Sequence, residues 1–232
     1  MTRKTGSGLL IVTIDGPAGS GKSTVAEAVA ARSGLNHLDT GKLYRAIALF
    51  LSGLGIPPIE TAFLRATLGE LSMRLDGERV LIGKDDVTEA LRTPEIDRIV
   101  SLYAALPAVR EGLLSLQRSQ ALPPGLVADG RDMGSVVFPQ ANLKIFLTAD
   151  ASERARRRFL EQASKGEHVD FDQVLSTVLS RDRTDTTRAI APLVVPENAV
   201  VVDTSARTAD EVVNEVLRLI EKIKEKDRSR ED

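Results

Sequence analysis

The 232-residue chain has no cysteine, no tryptophan and only two histidines, His37 and His168. Without thiols there is no disulfide, no thiolate metal site and no cysteine nucleophile. Two histidines do not make a multi-histidine metal site. Aromatic residues are 3% of the chain, too few for a base-stacking platform that holds single-stranded nucleic acid. No sign of charge predominates: 31 basic and 33 acidic residues leave a net charge of −2. A general polyanion-binding surface needs a basic excess, so nucleic acid is not the expected partner. Long apolar runs are missing too. Leu9-Leu10-Ile11-Val12 is broken by Thr13 and Asp15 and is too short for a secretion signal or a membrane span. The expected location is the cytoplasm, with no membrane partner.

What is present suits a chain that buries a core, with 42% hydrophobic and 28% charged residues. The length fits a single domain over 1–232, or one core with an insertion. Leu9 to Ile14 is a continuous β-prone run, which reads as a strand buried on both faces. Gly16-Pro17-Ala18-Gly19-Ser20-Gly21-Lys22-Ser23-Thr24 follows and satisfies G-x-x-x-x-G-K-[ST], the phosphate-binding loop. Val25, Ala26 and Val29 then recur at helical spacing, and Gly34 can end that helix. The glycines let successive N–H groups point at phosphate oxygens, and the helix N-terminus adds its positive end. Lys22 can reach the β- and γ-phosphates of ATP, and the Ser23 hydroxyl can ligate Mg²⁺.

Such a loop implies a nucleoside triphosphate but no particular reaction. A GTPase needs an N-K-x-D guanine-reading segment, which is missing. A motor ATPase usually needs a larger core. Strand and helix patterns alternate, so a parallel α/β sheet is expected. The strands are Leu10–Ile14, Asn36–Leu38, Leu126–Ala128, Lys144–Leu147 and Val200–Val202. Helices are expected over Ser23–Arg32, Leu43–Ser52, Ala108–Gln120, Ser152–Ser164, Phe171–Arg183 and Ala209–Lys224, with Lys226 to Asp232 frayed. Within 62–101 the pattern becomes antiparallel. Met73 and Leu75 alternate before Asp76-Gly77, Val80 and Ile82 alternate after it, and Val87-Thr88 adds a third strand. That makes an inserted lobe.

Three further segments carry a resemblance. They are Asp39-Thr40-Gly41-Lys42-Leu43-Tyr44-Arg45, Ala128-Asp129-Gly130-Arg131-Asp132-Met133-Gly134, and Arg181 with Asp185 and Arg188-Ala189-Ile190-Ala191-Pro192-Leu193. In this order after a phosphate loop, from about Leu9 to about Ile223, they resemble the bacterial cytidylate kinases, P-loop nucleoside monophosphate kinases. The resemblance implies a three-layer α/β/α fold with a five-stranded parallel sheet, a monophosphate-binding lobe at 62–101 and a helical lid at 154–188. It implies transfer of the γ-phosphate of MgATP to CMP and dCMP, by a monomer. Gly16 to Thr24, Arg157 and Arg158 would bind ATP. Thr40, Arg45, Arg131 and Arg188 match the residues on the acceptor's phosphate, and Ser101, Arg110 and Asp132 those that read cytosine. Arg181 and Asp185 match residues near the sugar. Lys22, Arg131, Arg188 and Asp129 would carry catalysis. Thr40 stands where the family usually has Ser, and Lys42 where it often has a small or apolar residue.

The chemistry suits these residue types. Guanidinium binds phosphate bidentately. A carboxylate accepts from cytosine's amino group, while Arg donates to its O2 and N3, and uracil presents a carbonyl instead of the amino group. Arg154, Arg157 and Arg158 share a helix face at i, i+3 and i+4, and so do Arg181, Asp185 and Arg188 if that helix continues. Charge runs of this kind are otherwise solvated surfaces. Asp129 can meet a Mg²⁺-bound water, or equally can cap a helix or satisfy the core. The attacking group is already a phosphate oxygen, so no general base is required and neither histidine is given a role. Gly166 lies between two arginine-bearing helices, which suggests a mobile lid that excludes water. The rivals are a kinase for AMP, UMP or shikimate, and a nucleotide-switched assembly protein.

Overall fold

The computed structural model describes residues 9–164, 166 and 168–229. The apolar run at the start forms β1 (Leu10–Asp15), the phosphate loop opens α1 (Lys22–Ser33), and β2 (Asn36–Asp39) leads into α2 (Thr40–Gly53). The insertion contains α3 (Ala62–Glu70), β3 (Met73–Asp76), β4 (Arg79–Ile82) and β5 (Asp85–Asp86), followed by α4 (Pro94–Ala104). The main body resumes with α5 (Pro107–Ser119), β6 (Gly125–Gly130), β7 (Leu143–Thr148), α6 (Ala151–Ser164), α7 (Phe171–Thr187), β8 (Val200–Asp203) and α8 (Ala209–Arg228).

Five strands make one parallel sheet in the order β2-β6-β1-β7-β8, and the insertion makes a separate antiparallel sheet, β3-β4-β5. Strand residues alternate between faces, so each parallel strand feeds two cores. Val12, Ile14, Val127 and Ile145 pack on Val25 and Val29 of α1 and on Val212, Val213, Val216 and Ile220 of α8. Leu38, Leu126 and Ala128 turn the other way, onto Leu43, Ile47 and Leu51 of α2 and Val109 and Leu113 of α5. This is the expected three-layer arrangement. Truncating a fully buried member such as Leu126 to Ala costs about 2–5 kcal/mol.

The same alternation sorts the polar residues. With Leu38 facing α2, its neighbours His37 and Asp39 face α1. With Val127 facing α1, so does Asp129. β1, β2 and β6 end at the same edge of the sheet, where ligand sites of such sheets form. In that register Asp39 is opposite Asp129, and Asp15 opposite Gly130.

Four expectations need correction. The third strand of the insertion is Asp85–Asp86, not Val87-Thr88. Thr88 instead folds back: its hydroxyl accepts from the Val80 N–H at 2.9 Å and its own N–H donates to Asp86 at 3.0 Å. The antiparallel stretch is also narrower than 62–101, because α3 opens it and α4 closes it. The caps that start these helices are Thr61, accepting from Leu64 N–H, and Thr93, accepting from Ile96 N–H just before Pro94. Finally, α7 stops at Thr187 and Arg188 is extended (φ −61°, ψ 143°), so the face carrying Arg181 and Asp185 does not continue helically to Arg188. The segment from Lys226, expected to fray, is helical through Arg228; residues 230–232 lie outside the described residues.

Candidate active site

A cleft of about 380 Å³ opens at the carboxyl edge of the parallel sheet, between the phosphate loop, α2, α4 and the α6–α7 pair. Its lining carries eight cationic side chains and five carboxylates. Here the charge concealed by the near-neutral total is collected.

The loop begins at Gly16, whose φ is +149° and where a Cβ would meet the Leu147 carbonyl oxygen at 2.0 Å, so only glycine fits. Ser20 Oγ and Lys22 Nζ both donate to the Pro17 carbonyl, at 3.0 and 2.6 Å. Lys22 is buried. That burial, with Arg131 nearby, pushes its ammonium well below the usual lysine range. An anion in the cleft would restore the favoured charged form. Ala18, Gly19, Gly21, Lys22, Ser23 and Thr24 line the cleft, while Gly16, Pro17 and Ser20 shape the loop from beneath.

Ser23 Oγ donates to Asp129 Oδ2 at 2.8 Å. Asp129 is 2% exposed; His37 Nε2 lies 2.8 Å from its other oxygen. The Thr40 hydroxyl donates to the Asp129 main-chain carbonyl at 2.7 Å. His37, given no role from the sequence, therefore touches an acid beside the phosphate loop. Burial opposes protonation of its ring, but the hydrogen bond and charge of Asp129, then Asp39 and Glu78, outweigh it and raise the pKa. Asp39 is raised by burial first and Asp129 second.

The other side of the cleft is arginine-rich. Arg45 on α2 donates to Asp97 on α4 at 2.7 Å, and Arg158 on α6 donates to the same carboxylate at 2.5 Å. Burial opposes ionisation of Asp97, but those two arginines outweigh it and lower its pKa. Arg131 donates to Asp185 at 2.9 Å. Arg181 is pushed down to about 10, by burial first and then by Arg131 and Arg158. The Nε atoms of Arg45 and Arg181 are buried without a hydrogen-bond partner. Buried donors of this kind are normally satisfied, and here an anion would do it.

Deeper in, Arg110 donates to Asp132 and to the Ala104 carbonyl (2.9 Å), with its guanidinium 5.2 Å from the centre of the Tyr44 ring. Arg188 lies 3.7 Å from Asp132 and 3.6 Å from Asp185 and donates to the Ala191 carbonyl at 2.7 Å. Ser101 faces the same space from α4. Asp132 is held by its own chain: the N–H groups of Met133 and Gly134, which follow it, donate to the buried Asp15 at 2.8 and 2.7 Å. Burial raises Asp15 to about 6, although those two N–H groups pull it back.

The expected site residues are thus brought together, Arg188 included despite the break in α7. The three lid arginines diverge. Arg158 reaches Asp97, Arg157 donates to Thr204, and Arg154, buried behind the loop, pairs with Asp182. Sequence reasoning misses His37, Asp39, Tyr44 and Asp97. Asp39 and Tyr44 stand inside a quoted motif, and the β2 alternation pairs His37 with Asp39. Asp97 carries no signal unless α4 is recognised. Among the described residues no group of three or more His, Cys, Asp or Glu could hold a metal alone.

The fold and the cleft define an ATP-dependent P-loop kinase. Residues 12–222 match the family model described as Cytidylate kinase, and the chain belongs to that family. It is 42% identical to the cytidylate kinase of Carboxydothermus hydrogenoformans (90% of this chain, 96% of that one). It is 44% identical to that of Pseudomonas fluorescens (89% and 93%), and 42% to that of Mycobacterium leprae (91% and 95%). An uncharacterized protein from Eubacterium ventriosum shares the fold, with a TM-score of 0.51 at 11% identity over 91% of this chain and 98% of that one.

Proposed function

We propose that the protein transfers the γ-phosphoryl group of ATP to CMP, and also to dCMP, giving ADP and the diphosphate. The observation that carries the choice of base is the buried set Arg110–Asp132–Arg188 at the closed end of an otherwise phosphate-seeking cleft. Asp132 accepts from the cytosine amino group while Arg110 and Ser101 donate to its acceptors. The acceptor's phosphate is held by Thr40, Arg45, Arg131 and Arg188, and the sugar by Arg181 and Asp185. The loop and Lys22 hold the donor's phosphates, with Arg157 and Arg158 closing over them. Catalysis is positioning and charge stabilisation, with no proton taken from the acceptor oxygen.

The donor set at the loop, the Ser23 hydroxyl with the Asp129 and Asp39 carboxylates nearby, is hard oxygen. It fits Mg²⁺ held mainly by nucleotide phosphates and water. When bound, the ion neutralises charge on the phosphates. Ser23 would be its direct protein ligand, and Asp129 would accept from a water on the ion. The hairpin lobe packs Val80 and Leu91 on Ala46 of α2, the helix that carries Thr40 and Arg45, which supports 62–101 as an acceptor-binding unit. Region 154–188 acts as the lid. The protein works as a cytoplasmic monomer without nucleic-acid or membrane partners. The balanced charge supports the lack of a nucleic-acid partner, and no single helix among the described residues is long and apolar enough to cross a membrane.

The test is a coupled assay with MgATP and CMP, dCMP, UMP, AMP or GMP. CMP and dCMP should give the highest kcat/KM. UMP or AMP outperforming CMP overturns the assignment of the base, and binding of ATP without transfer to any monophosphate overturns the reaction.

A further inference from the structure

His37 is one of two histidines, sits on the second strand of the sheet and belongs to none of the expected site motifs. Its position is nonetheless specific. On β2 it shares the α1 face with Asp39. Across the β2–β6 pair its Nε2 lies 2.8 Å from Asp129 Oδ1. A carboxylate only accepts, so Nε2 carries the hydrogen and donates. The other oxygen, Asp129 Oδ2, accepts from Ser23 Oγ at 2.8 Å. The Asp129 main chain is pinned independently, by the Thr40 hydroxyl at 2.7 Å. The imidazole and the Ser23 hydroxyl, one on each oxygen, therefore fix the rotation of the carboxylate about its own side-chain bonds, and the imidazole is the restraint that comes from the sheet. The pair is enclosed, with side-chain exposures of 12% for His37 and 3% for Asp129.

The surroundings make this restraint necessary. Asp39 and Asp129 are direct neighbours in the strand register, and two close carboxylates repel. Left alone, Asp129 would swing away from Asp39. A donor on its far oxygen keeps it aimed at the residue that follows the phosphate-loop lysine.

We propose that His37 is a positioning residue for phosphoryl transfer: its Nε2–H holds the Asp129 carboxylate in the orientation in which the opposite oxygen meets Ser23. The inference rests on the reading of Ser23 and Asp129 as donor-site groups. It assigns His37 no proton transfer and no contact with substrate.

Two variants that differ by one carbon test it. In His37→Gln the side-chain amide nitrogen can occupy the place of Nε2, while in His37→Asn it falls short. H37N should lower kcat/KM for MgATP about 10- to 100-fold, the usual loss when a supporting partner is removed. The KM for CMP should stay within about twofold in H37N, and H37Q should recover kcat/KM to within about threefold of the parent. In an Asp129→Asn background, H37N should add little, because its effect passes through that carboxylate. Independently of activity, ¹⁵N spectra of the protein without nucleotide or metal should show a slowly exchanging imidazole N–H, identified by its loss in H37Q. It should exchange quickly in Asp129→Ala, which leaves the imidazole no acceptor. H37N at parent activity with D129N impaired overturns the inference alone, as do equal losses in H37N and H37Q, additive losses in the double variant, or an imidazole N–H indifferent to Asp129→Ala. D129N at parent activity removes the donor-site reading and the inference with it.

Discussion

Arg154 on α6 and Asp182 on α7 form a two-bond ion pair, with the guanidinium nitrogens 3.0 and 2.7 Å from the carboxylate oxygens. The same guanidinium donates to the Ala18 carbonyl of the phosphate loop at 3.1 Å and to the Ala149 carbonyl at 2.8 Å. One buried cation therefore ties α6 and α7 to the phosphate loop. Arg154→Ala strands two carbonyls and a half-buried carboxylate. It should cost about 3 kcal/mol of stability, at the low end for breaking a buried pair, read from urea unfolding. An unchanged midpoint would show the tie to be idle.

Asp132→Asn keeps the shape of the side chain but offers an N–H where the carboxylate offered lone pairs. Uracil's carbonyl can meet that N–H and cytosine's amino group cannot. The expected outcome is a drop in kcat/KM for CMP of about 100-fold or more, with a smaller drop for UMP. Steady-state assays with both acceptors check this, and a CMP-to-UMP ratio equal to the parent's contradicts it.

Asp15 titrates near 6 in the folded chain against 3.8 for the free side chain. The folded state thus binds the proton more tightly. The stabilising contribution is fully present below the unfolded pKa, about 4, and is lost as pH rises through about 6. Compared with Asp15→Asn, the parent should lose about 2–3 kcal/mol of stability between pH 4 and pH 7, since a tenfold difference in proton affinity between the folded and unfolded chains corresponds to about 1.4 kcal/mol. Unfolding both proteins across that range isolates this group, and parallel profiles would refute the assignment.

Arg181 is crowded by Arg131, Arg158 and Arg45, with Asp97 the acid that offsets them. Replacing it with Met removes a buried cation among cations. Arg181→Met should gain about 1–2 kcal/mol in the nucleotide-free protein, the gain often found when an apolar side chain replaces a buried charge. It should also lose about 100-fold in kcat. Calorimetry and assays on the same preparation test the pair of effects. A variant that is both less stable and fully active would remove Arg181 from the phosphate site.

Much of this architecture is legible because parallel strands are apolar on both faces and helices repeat at 3.6 residues. β1 and α1 follow from the pattern to within a residue at each end, and α8 starts where the pattern puts it. The insertion is less legible. Its Asp76-Gly77 turn announces the hairpin, yet α4 escapes the pattern although Thr93 and Pro94 cap it. Ser101 is marked by the family resemblance, but Asp97, one turn before it, depends on knowing that a helix runs there. The arginines group by spacing, which fixes only a shared helix face. Arg154, Arg157 and Arg158 share such a face and still end on Asp182, Thr204 and Asp97, because partners are chosen by tertiary packing. His37 is unreadable for the same reason: its role lies in what β6 places beside it.

Asp97 already pairs with Arg45 of α2 and Arg158 of α6. An incoming molecule must outcompete that carboxylate. A phosphate monoester, near −2 at neutral pH, brings more charge and more acceptor oxygens than the single carboxylate it displaces. A bare nucleoside brings none and leaves the clasp shut. The cleft thus favours an ionised acceptor over a neutral one, whatever its base.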